Sequence, residues 1–210
     1  MTAPRTVAAL YVEARGAYVG LDGVDPWDAA RDARLYAGPH PVVAHPPCER
    51  WGRYWGGGPS HHASGRFRLG DDGGCFTLAL AAVRRFGGVL EHPEASHAWA
   101  AHGLLKPPRS GGWVAAGDGM GWTCCVEQGH YGHLARKATW LYAAHVELPS
   151  LRWGASGGKA RLEDGFHSAA ERRAARDAGV PPAKRIPSRM LAATPPEFRD
   201  LPISIARSSK

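Results

Sequence analysis

The segment that most constrains the fold of this chain spans residues 41–52 and reads PVVAHPPCERWG. Its three small apolar residues, 42–44, predict a short buried strand. Two prolines then end that strand, because proline has no backbone N–H to donate to a sheet ladder. Cys48 follows directly, and open α/β sheets place their chemistry at the carboxyl ends of such strands. Cys48 is therefore a candidate nucleophile, with a structural cysteine in a proline-rich turn as the alternative.

The order of strand and helix patterns predicts an α/β fold with a Rossmann-like sheet. Short apolar runs predict strands at residues 7–12, 42–44, 89–93, 122–127 and 139–145. The spacing of apolar residues predicts a helix over 75–86, and further helical segments are expected at 168–178 and from 195 onwards.

A helix is also predicted over residues 25–36, because Asp25 is a typical cap and Pro26 suits a first turn. Near residue 148 the composition changes to Gly, Arg and Pro. This change predicts a catalytic domain over 1–147 and a basic carboxy-terminal extension over 148–210 that packs on it.

Residues 51–74 contain many glycines and little periodicity, which predicts a long loop. The first part of this loop places aromatic rings beside arginines, namely Trp51, Tyr54 and Trp55 with Arg50 and Arg53. Such an arrangement suits a flipped or single-stranded base. A loop that packs back on its own domain is the open alternative.

The formal net charge of +7 predicts an acidic partner, of which nucleic acid is the obvious one. Residues 1–150 contain 14 Lys and Arg against 13 Asp and Glu, whereas residues 151–210 contain 12 against 6. The basic surface is therefore expected in the carboxy-terminal part, where it would face phosphates rather than read bases.

No apolar run has transmembrane length and no signal-peptide pattern is present, which predicts a cytoplasmic protein without a membrane partner. In a reducing compartment all four cysteines are expected to be thiols: Cys48, Cys75, Cys124 and Cys125. The His130-x-x-His133 pair with the nearby Cys124 and Cys125 is a possible zinc site. Zinc sites typically use two such pairs, and no second clean pair is present, so no metal is predicted.

Polar residues mark the ends of three predicted strands that are far apart in sequence: Cys48, Glu91, and the pair Arg136 and Lys137. In a doubly wound sheet such strand ends lie side by side. A thiolate that adds to carbon 6 of a pyrimidine activates carbon 5, and a carboxyl group and a cation stabilise the charge that develops in the ring. The three clusters predict this chemistry.

The order of these motifs resembles that of the DNA cytosine-5 methyltransferases. The chain has Pro-Pro-Cys, Leu-Glu-His-Pro, and Tyr-Gly followed by Arg-Lys. That family has a Pro-Cys nucleophile, a Glu-Asn-Val carboxylate and a Tyr-Gly-x-Pro-Gln-x-Arg segment in the same order. The resemblance covers residues 40–145, and residues 188–198 also resemble the end of compact phage and prophage members.

The resemblance implies a truncated methyltransferase-type sheet, S-adenosylmethionine as the methyl donor, and DNA or a cytosine nucleotide as the substrate. The implied catalytic residues are the nucleophile Cys48, the ring-binding Glu91 and the positioning cation Arg136. The implied substrate-binding residues are His45, Arg50, Trp51, Lys137 and Thr139. The implied cofactor-binding residues are Tyr11, Glu13, Asp25, Trp27 and Pro47.

The chain also departs from the family pattern. The family's Phe-x-Gly-x-Gly loop, which receives S-adenosylmethionine, is missing after residue 10. His92 and Pro93 replace Asn and Val after the acid, and Ala135 replaces the Gln before the cations. Two alternatives therefore stay open, a non-methylating pyrimidine-modifying enzyme of the same fold and an inactive nucleic-acid-binding module.

Overall fold

The computed structural model describes residues 5–52, 55–56, 67–157, 169–180, 190 and 193–210. These residues form a seven-stranded mixed sheet. Its strands are β1 (Val7–Leu10), β2 (Val24–Trp27), β3 (Val42–Ala44), β4 (Gly88–Pro93), β5 (Val114–Ala115), β6 (Trp122–Glu127) and β7 (Ala138–Ala144). The described helices are α1 (Cys75–Phe86), α2 (His97–Ala101), α3 (Ala169–Asp177) and α4 (Pro196–Arg207). None of these helices is long and apolar enough to cross a lipid bilayer.

The strand order across the sheet is β2-β1-β3-β4-β7-β6-β5. Strands β1 to β4 are mutually parallel, whereas β7 runs antiparallel between β4 and β6, and β5 runs antiparallel at the far edge. Because β2 lies on one side of β1 and β3 on the other, the strand order reverses at β1. Open α/β sheets bind ligands in the crevice outside the carboxyl ends of the strands at such a switch point.

Helices cover both faces of the central strands. Ala8 and Leu10 of β1 pack in the apolar cluster that α1 completes, whereas Val7 and Ala9 pack with Ile203 of α4. This division follows from the pleat, which points successive side chains to opposite faces. The last helix of the sequence thus forms one of the two layers that enclose the sheet.

Most regular elements that the sequence predicts are confirmed. The helix over residues 75–86 is confirmed at both ends as α1. As its periodicity predicts, Phe76, Leu80 and Val83 are buried along one stripe. The five predicted strands are present as β1, β3, β4, β6 and β7, with shifts of one or two residues at their ends. The α/β class is confirmed, and the sheet is mixed, which is compatible with a Rossmann-like fold.

The predicted helix over residues 25–36 is wrong. Its first residues belong to the edge strand β2, and only Ala33–Leu35 form a 3-10 turn. Pro26 is tolerated because β2 is an edge strand. On such a strand the backbone nitrogen of proline can face the side that has no neighbouring strand. Asp25 caps no helix, since its carboxylate accepts hydrogen bonds from the Trp27 indole and from Arg31.

The packing of α4 on the sheet gives a test of the core. Phe198 is fully buried among residues of the sheet, and we expect Phe198→Ala to lower the free energy of unfolding by about 3–5 kcal/mol in urea denaturation. Leu134, whose exposed fraction is 55%, supplies the control, because Leu134→Ala should change that free energy by less than about 0.5 kcal/mol. Similar losses for the two variants would contradict the burial of α4.

Candidate active site

A cleft of about 760 Å³ lies at the carboxyl ends of β1, β3 and β4. Its volume is in the range of small-molecule and nucleotide sites, and it lies at the switch point of the sheet. Six separate parts of the chain line it: Tyr11, Val12, Glu13, Gly16, Ala17 and Tyr18; His45, Pro46, Pro47 and Cys48; Glu91 and Pro93; Gln128; Lys137; and Ala193 and Thr194.

Cys48 lies just beyond the end of β3, where two prolines stop the strand. Its backbone carbonyl accepts hydrogen bonds from the N–H groups of Trp51 (3.0 Å) and Gly52 (2.9 Å), so a turn fixes the residue after it leaves the sheet. The residue as a whole is exposed. Desolvation of its thiol and the charge of Glu91 raise the pKa of Cys48, which Lys137 partly counteracts. The thiol of the resting protein is therefore protonated at neutral pH.

Glu91 projects from β4 with both carboxylate oxygens hydrogen-bonded. Its Oε2 lies 3.0 Å from Nδ1 of His45, and its Oε1 accepts from Nε2 of Gln128 at 3.3 Å. Burial on its own would raise the pKa of Glu91, but the bond from His45 and the charge of Lys137 outweigh burial and lower it. Glu91 is thus a carboxylate that only accepts hydrogen bonds.

Tyr18 extends this chain of hydrogen bonds on the other side of His45. The Tyr18 hydroxyl lies 2.7 Å from Nε2 of His45. Burial and the charge of Glu91 raise the pKa of Tyr18, so the phenol keeps its proton. The three side chains form one hydrogen-bonded chain from Tyr18 through His45 to Glu91.

Lys137 is the cation that lines the cleft. It precedes β7 with a φ of 39°, a conformation that L residues rarely adopt. Burial lowers the pKa of Lys137, while the charges of Glu91 and Cys48 raise it. The charge of Lys137 is therefore coupled electrostatically to both Glu91 and Cys48.

Arg136, predicted to be catalytic, does not line the cleft. Its guanidinium makes a two-pronged pair with Glu127 (2.7 and 3.0 Å), whose carboxylate also accepts from the backbone N–H of Ser156 (2.6 Å). Although burial opposes it, these bonds lower the pKa of Glu127 to about 2. Of the two adjacent cations only Lys137 lines the cleft, because the Arg136 guanidinium is paired with Glu127.

Arg50 and Trp51, expected to bind the substrate, also lie outside the cleft wall. Trp51 is buried, donates its indole N–H to Asp72 at 2.7 Å and packs on Phe76. The Arg50 guanidinium lies 3.9 Å from the centre of the Phe67 ring. This part of the loop therefore packs back on its own domain. The predicted stacking partners Arg53 and Tyr54 are outside the described residues.

Thr139, the remaining predicted substrate residue, is fully buried in β7. Its hydroxyl oxygen accepts from Nε2 of Gln128 at 3.0 Å. Thr139 thus fixes a residue of the cleft wall instead of lining the cleft itself.

The predicted cofactor residues fall into two groups. Tyr11, Glu13 and Pro47 line the cleft, and the Tyr11 hydroxyl is buried without a hydrogen-bond partner in the described part of the chain. Asp25 and Trp27 lie on β2 and are engaged by one side chain: the Arg31 guanidinium pairs with Asp25 and lies 4.0 Å from the centre of the Trp27 ring.

The two residues that replace Asn and Val after Glu91 have different surroundings. His92 is fully buried, packs its ring on Phe76 and shares a 2.7 Å hydrogen bond with the Ser96 hydroxyl. Burial lowers the pKa of His92 to about 4, so the ring is neutral and structural. Pro93 lines the cleft.

Sequence reasoning missed three polar side chains of the cleft. Gln128 directly follows the predicted strand over residues 122–127. A polar residue directly after a strand could have been predicted as a site residue from the sequence. Tyr18 comes from the glycine-containing segment after β1, and Thr194 from just before α4. Neither of these two residues carries a local signal, because tertiary contacts alone bring it to the cleft.

The alternative of a zinc site receives no support from the described residues, among which no group of three or more His, Cys, Asp or Glu is placed to bind a metal. Nε2 of His130 lies 3.2 Å from the Gly154 carbonyl, and Nδ1 of His133 bonds the backbone of Ala135. Cys124 and Cys125 are buried in the core.

Comparison of the chain with known proteins gave no match to a family model, to a curated protein or to a solved structure. What the cleft can do chemically therefore follows from its own residues. The Cys48 thiol, the ionised Glu91 carboxylate and the half-buried Lys137 amine line the same cleft.

The opposing effects of Glu91 and Lys137 on Cys48 give a second test. We expect Glu91→Gln to lower the pKa of Cys48, because the charge of Glu91 helps to raise it, and to speed its alkylation by iodoacetamide at pH 8 by roughly threefold to tenfold. Lys137→Met should raise that pKa and slow the reaction. The rates are read by mass spectrometry of the Cys48 peptide.

Cys75 is the internal control for the alkylation. Burial and Asp72 raise its pKa, and Glu91 is not among its causes, so its labelling rate should be the same in both variants. Unchanged labelling of Cys48, or parallel changes at both cysteines, would contradict the electrostatic coupling in the cleft.

Proposed function

We propose that the chain is a cytosine-modifying enzyme, similar to the DNA cytosine-5 methyltransferases, in which Cys48 bonds covalently to carbon 6 of the ring. The observation that carries this proposal is the convergence of Cys48, Glu91 and Lys137 in one cleft. The three residues come from distant segments, and a thiol, a carboxylate and a cation are the set that this addition needs.

In the first step the exposed Cys48 thiol gives its proton to water, and its sulfur attacks carbon 6. The S–C6 bond forms, the electrons of the C5–C6 double bond move to carbon 5, and the ring becomes electron-rich. Carbon 5 then bonds to an electrophile and gives up its hydrogen as a proton to water, and the electrons of that C–H bond restore the double bond as the S–C6 bond breaks and the sulfur leaves with its electron pair. A thiolate with a high pKa is a strong nucleophile once it has formed.

Glu91 and Lys137 act on the charges of this step. The Lys137 ammonium stabilises the thiolate and the electron-rich ring, and the surrounding protein strengthens its effect by limiting water. The Glu91 carboxylate faces the amino group at the edge of the cytosine ring. His45 and Tyr18 keep this carboxylate in place.

The substrate is a single base that leaves its stack, or a free cytosine nucleotide. A base inside a duplex cannot bring carbon 6 to a thiol within a cleft, so a duplex substrate would flip its cytosine out. The net charge of +7 favours a phosphate-bearing partner.

Of the residues expected to bind S-adenosylmethionine, those near the end of β1 support this cofactor, because they line the cleft. Tyr11, with its unpartnered hydroxyl, and Glu13 and Pro47 would contact the cofactor there, and the bound cofactor would supply the methyl group to carbon 5. Asp25 and Trp27 would contribute only after Arg31 moves away from them.

The proposal is tested without any methyl donor by release of tritium from [5-³H]cytosine in single-stranded DNA. Reversible addition of Cys48 lets water protonate carbon 5, so the label exchanges into solvent. We expect release by the wild type, loss of release to background for Cys48→Ser, and retention for the control Cys75→Ser. Background release by the wild type, or equal release by Cys48→Ser, would refute the proposed nucleophile.

Two neighbouring cations make a matched pair in the same assay. Lys137→Met should slow tritium release by about 10²-fold or more, the scale of losing one preorganised charge. Arg136→Met should lower the thermal midpoint, since it leaves the buried Glu127 unpaired, with little effect on the release rate of the folded protein. The reverse pattern would assign the catalytic cation to Arg136.

The methyl donor is tested by thermal stability. S-adenosylmethionine at about 100 times its Kd should raise the free energy of unfolding by about 2.7 kcal/mol, seen as a higher thermal midpoint. Glu13→Ala should reduce the increase, whereas Glu147→Ala, an exposed residue that does not line the cleft, should keep it. If the midpoint stays unchanged while tritium release occurs, the donor is a different molecule.

A further inference from the structure

Gln128 is a buried polar residue of the cleft wall to which the chemistry above gives no role. Its exposed fraction is 2%, and it lies at the start of the turn that follows β6. Its backbone is fixed on both sides, because its N–H donates to the Lys137 carbonyl (3.1 Å) and its carbonyl accepts from the N–H of His133 (3.1 Å). The side chain is thus fixed at the edge of the cleft.

The amide of Gln128 has a defined orientation. Its Nε2 donates to Oε1 of Glu91 (3.3 Å) and to the Thr139 hydroxyl oxygen (3.0 Å). A flipped amide would bring its carbonyl oxygen against the ionised Glu91 carboxylate, and two acceptors repel each other. The nitrogen therefore faces Glu91, and the carbonyl oxygen takes the other side.

This carbonyl oxygen is a buried acceptor without a partner in the described part of the chain. A buried polar atom that makes no hydrogen bond costs free energy, which a donor on a bound molecule removes. Among the described residues that line the cleft, Tyr11 and Gln128 each have a buried polar atom without a partner. The Gln128 atom is an acceptor, so an N–H of a bound molecule would complement it.

We propose that the carbonyl oxygen of Gln128 accepts an N–H from the ring amino group of the substrate and so makes the cleft select an aminopyrimidine over an oxopyrimidine. Gln128 is then a specificity-determining residue, and this role rests on the proposed function. Cytosine presents an amino donor at the position where uracil and thymine present an oxygen acceptor. A uracil oxygen would face two acceptors, Gln128 and Glu91, and would leave the Gln128 carbonyl oxygen unpaired.

The test is a ratio of dissociation constants for two probes. The probes are single-stranded oligodeoxynucleotides of thymine that differ only in one central base, cytosine or uracil, and binding is read by fluorescence anisotropy. We expect the wild type to bind the cytosine probe about tenfold more tightly. Gln128→Met, which is similar in size and has neither donor nor acceptor, should bring the two constants within about twofold of each other.

Thr139→Val is the matched control, because it removes the same internal hydrogen bond and leaves the Gln128 carbonyl in place. Binding of both probes should weaken while their ratio stays near the wild-type value. If Gln128→Met does not fold, Gln128→Asn, which withdraws the amide by one methylene, carries the test. Circular dichroism checks the fold of each variant.

Equal binding of the two probes by the wild type, binding of neither, or a ratio that survives both Gln128 substitutions overturns the role of Gln128. These results are separate from tritium release. Discrimination without release supports Gln128 and refutes the proposed nucleophile, whereas release without discrimination supports Cys48 and overturns the role of Gln128.

Discussion

The hydrogen bond between His45 and Glu91 is the interaction on which the rest of the cleft depends. It joins the carboxyl ends of β3 and β4, two neighbouring parallel strands. A buried carboxylate normally takes up a proton unless a donor replaces its lost water. With His45 as that donor the pKa of Glu91 is lowered, and the ionised group then orients Gln128 and acts electrostatically on Cys48.

The same carboxylate works against the proposed nucleophile. Glu91 raises the pKa of Cys48 and Lys137 lowers it, so the thiolate fraction reflects the balance of two charges in one cleft. A site that needs an acceptor for the ring edge and a thiolate beside it must also supply a cation. Arg136 cannot serve, because its charge is already matched by Glu127. Lys137, one residue further along the chain, supplies the positive charge that the proposed chemistry requires.

Local sequence signals were sufficient where a regular pattern and a stop define an element, as in α1 and in β3 with its two prolines. They failed at Pro26, which suits a helix start and an edge strand equally well. They did not distinguish Arg136 from Lys137, because that choice depends on which side of the chain meets the cleft. Tyr18 and Thr194 come from irregular segments, where position is decided by tertiary packing and no periodicity exists to detect.

The cleft draws on both ends of the described chain, since Tyr11 follows the first strand and Thr194 immediately precedes α4. The same helix covers Val7 and Ala9 of β1. While the protein is being synthesised, these strands leave the ribosome long before the helix that shields them. The nascent chain therefore carries an uncovered apolar surface and an unfinished cleft wall, and the chemistry proposed for Cys48 has to wait until translation has passed α4.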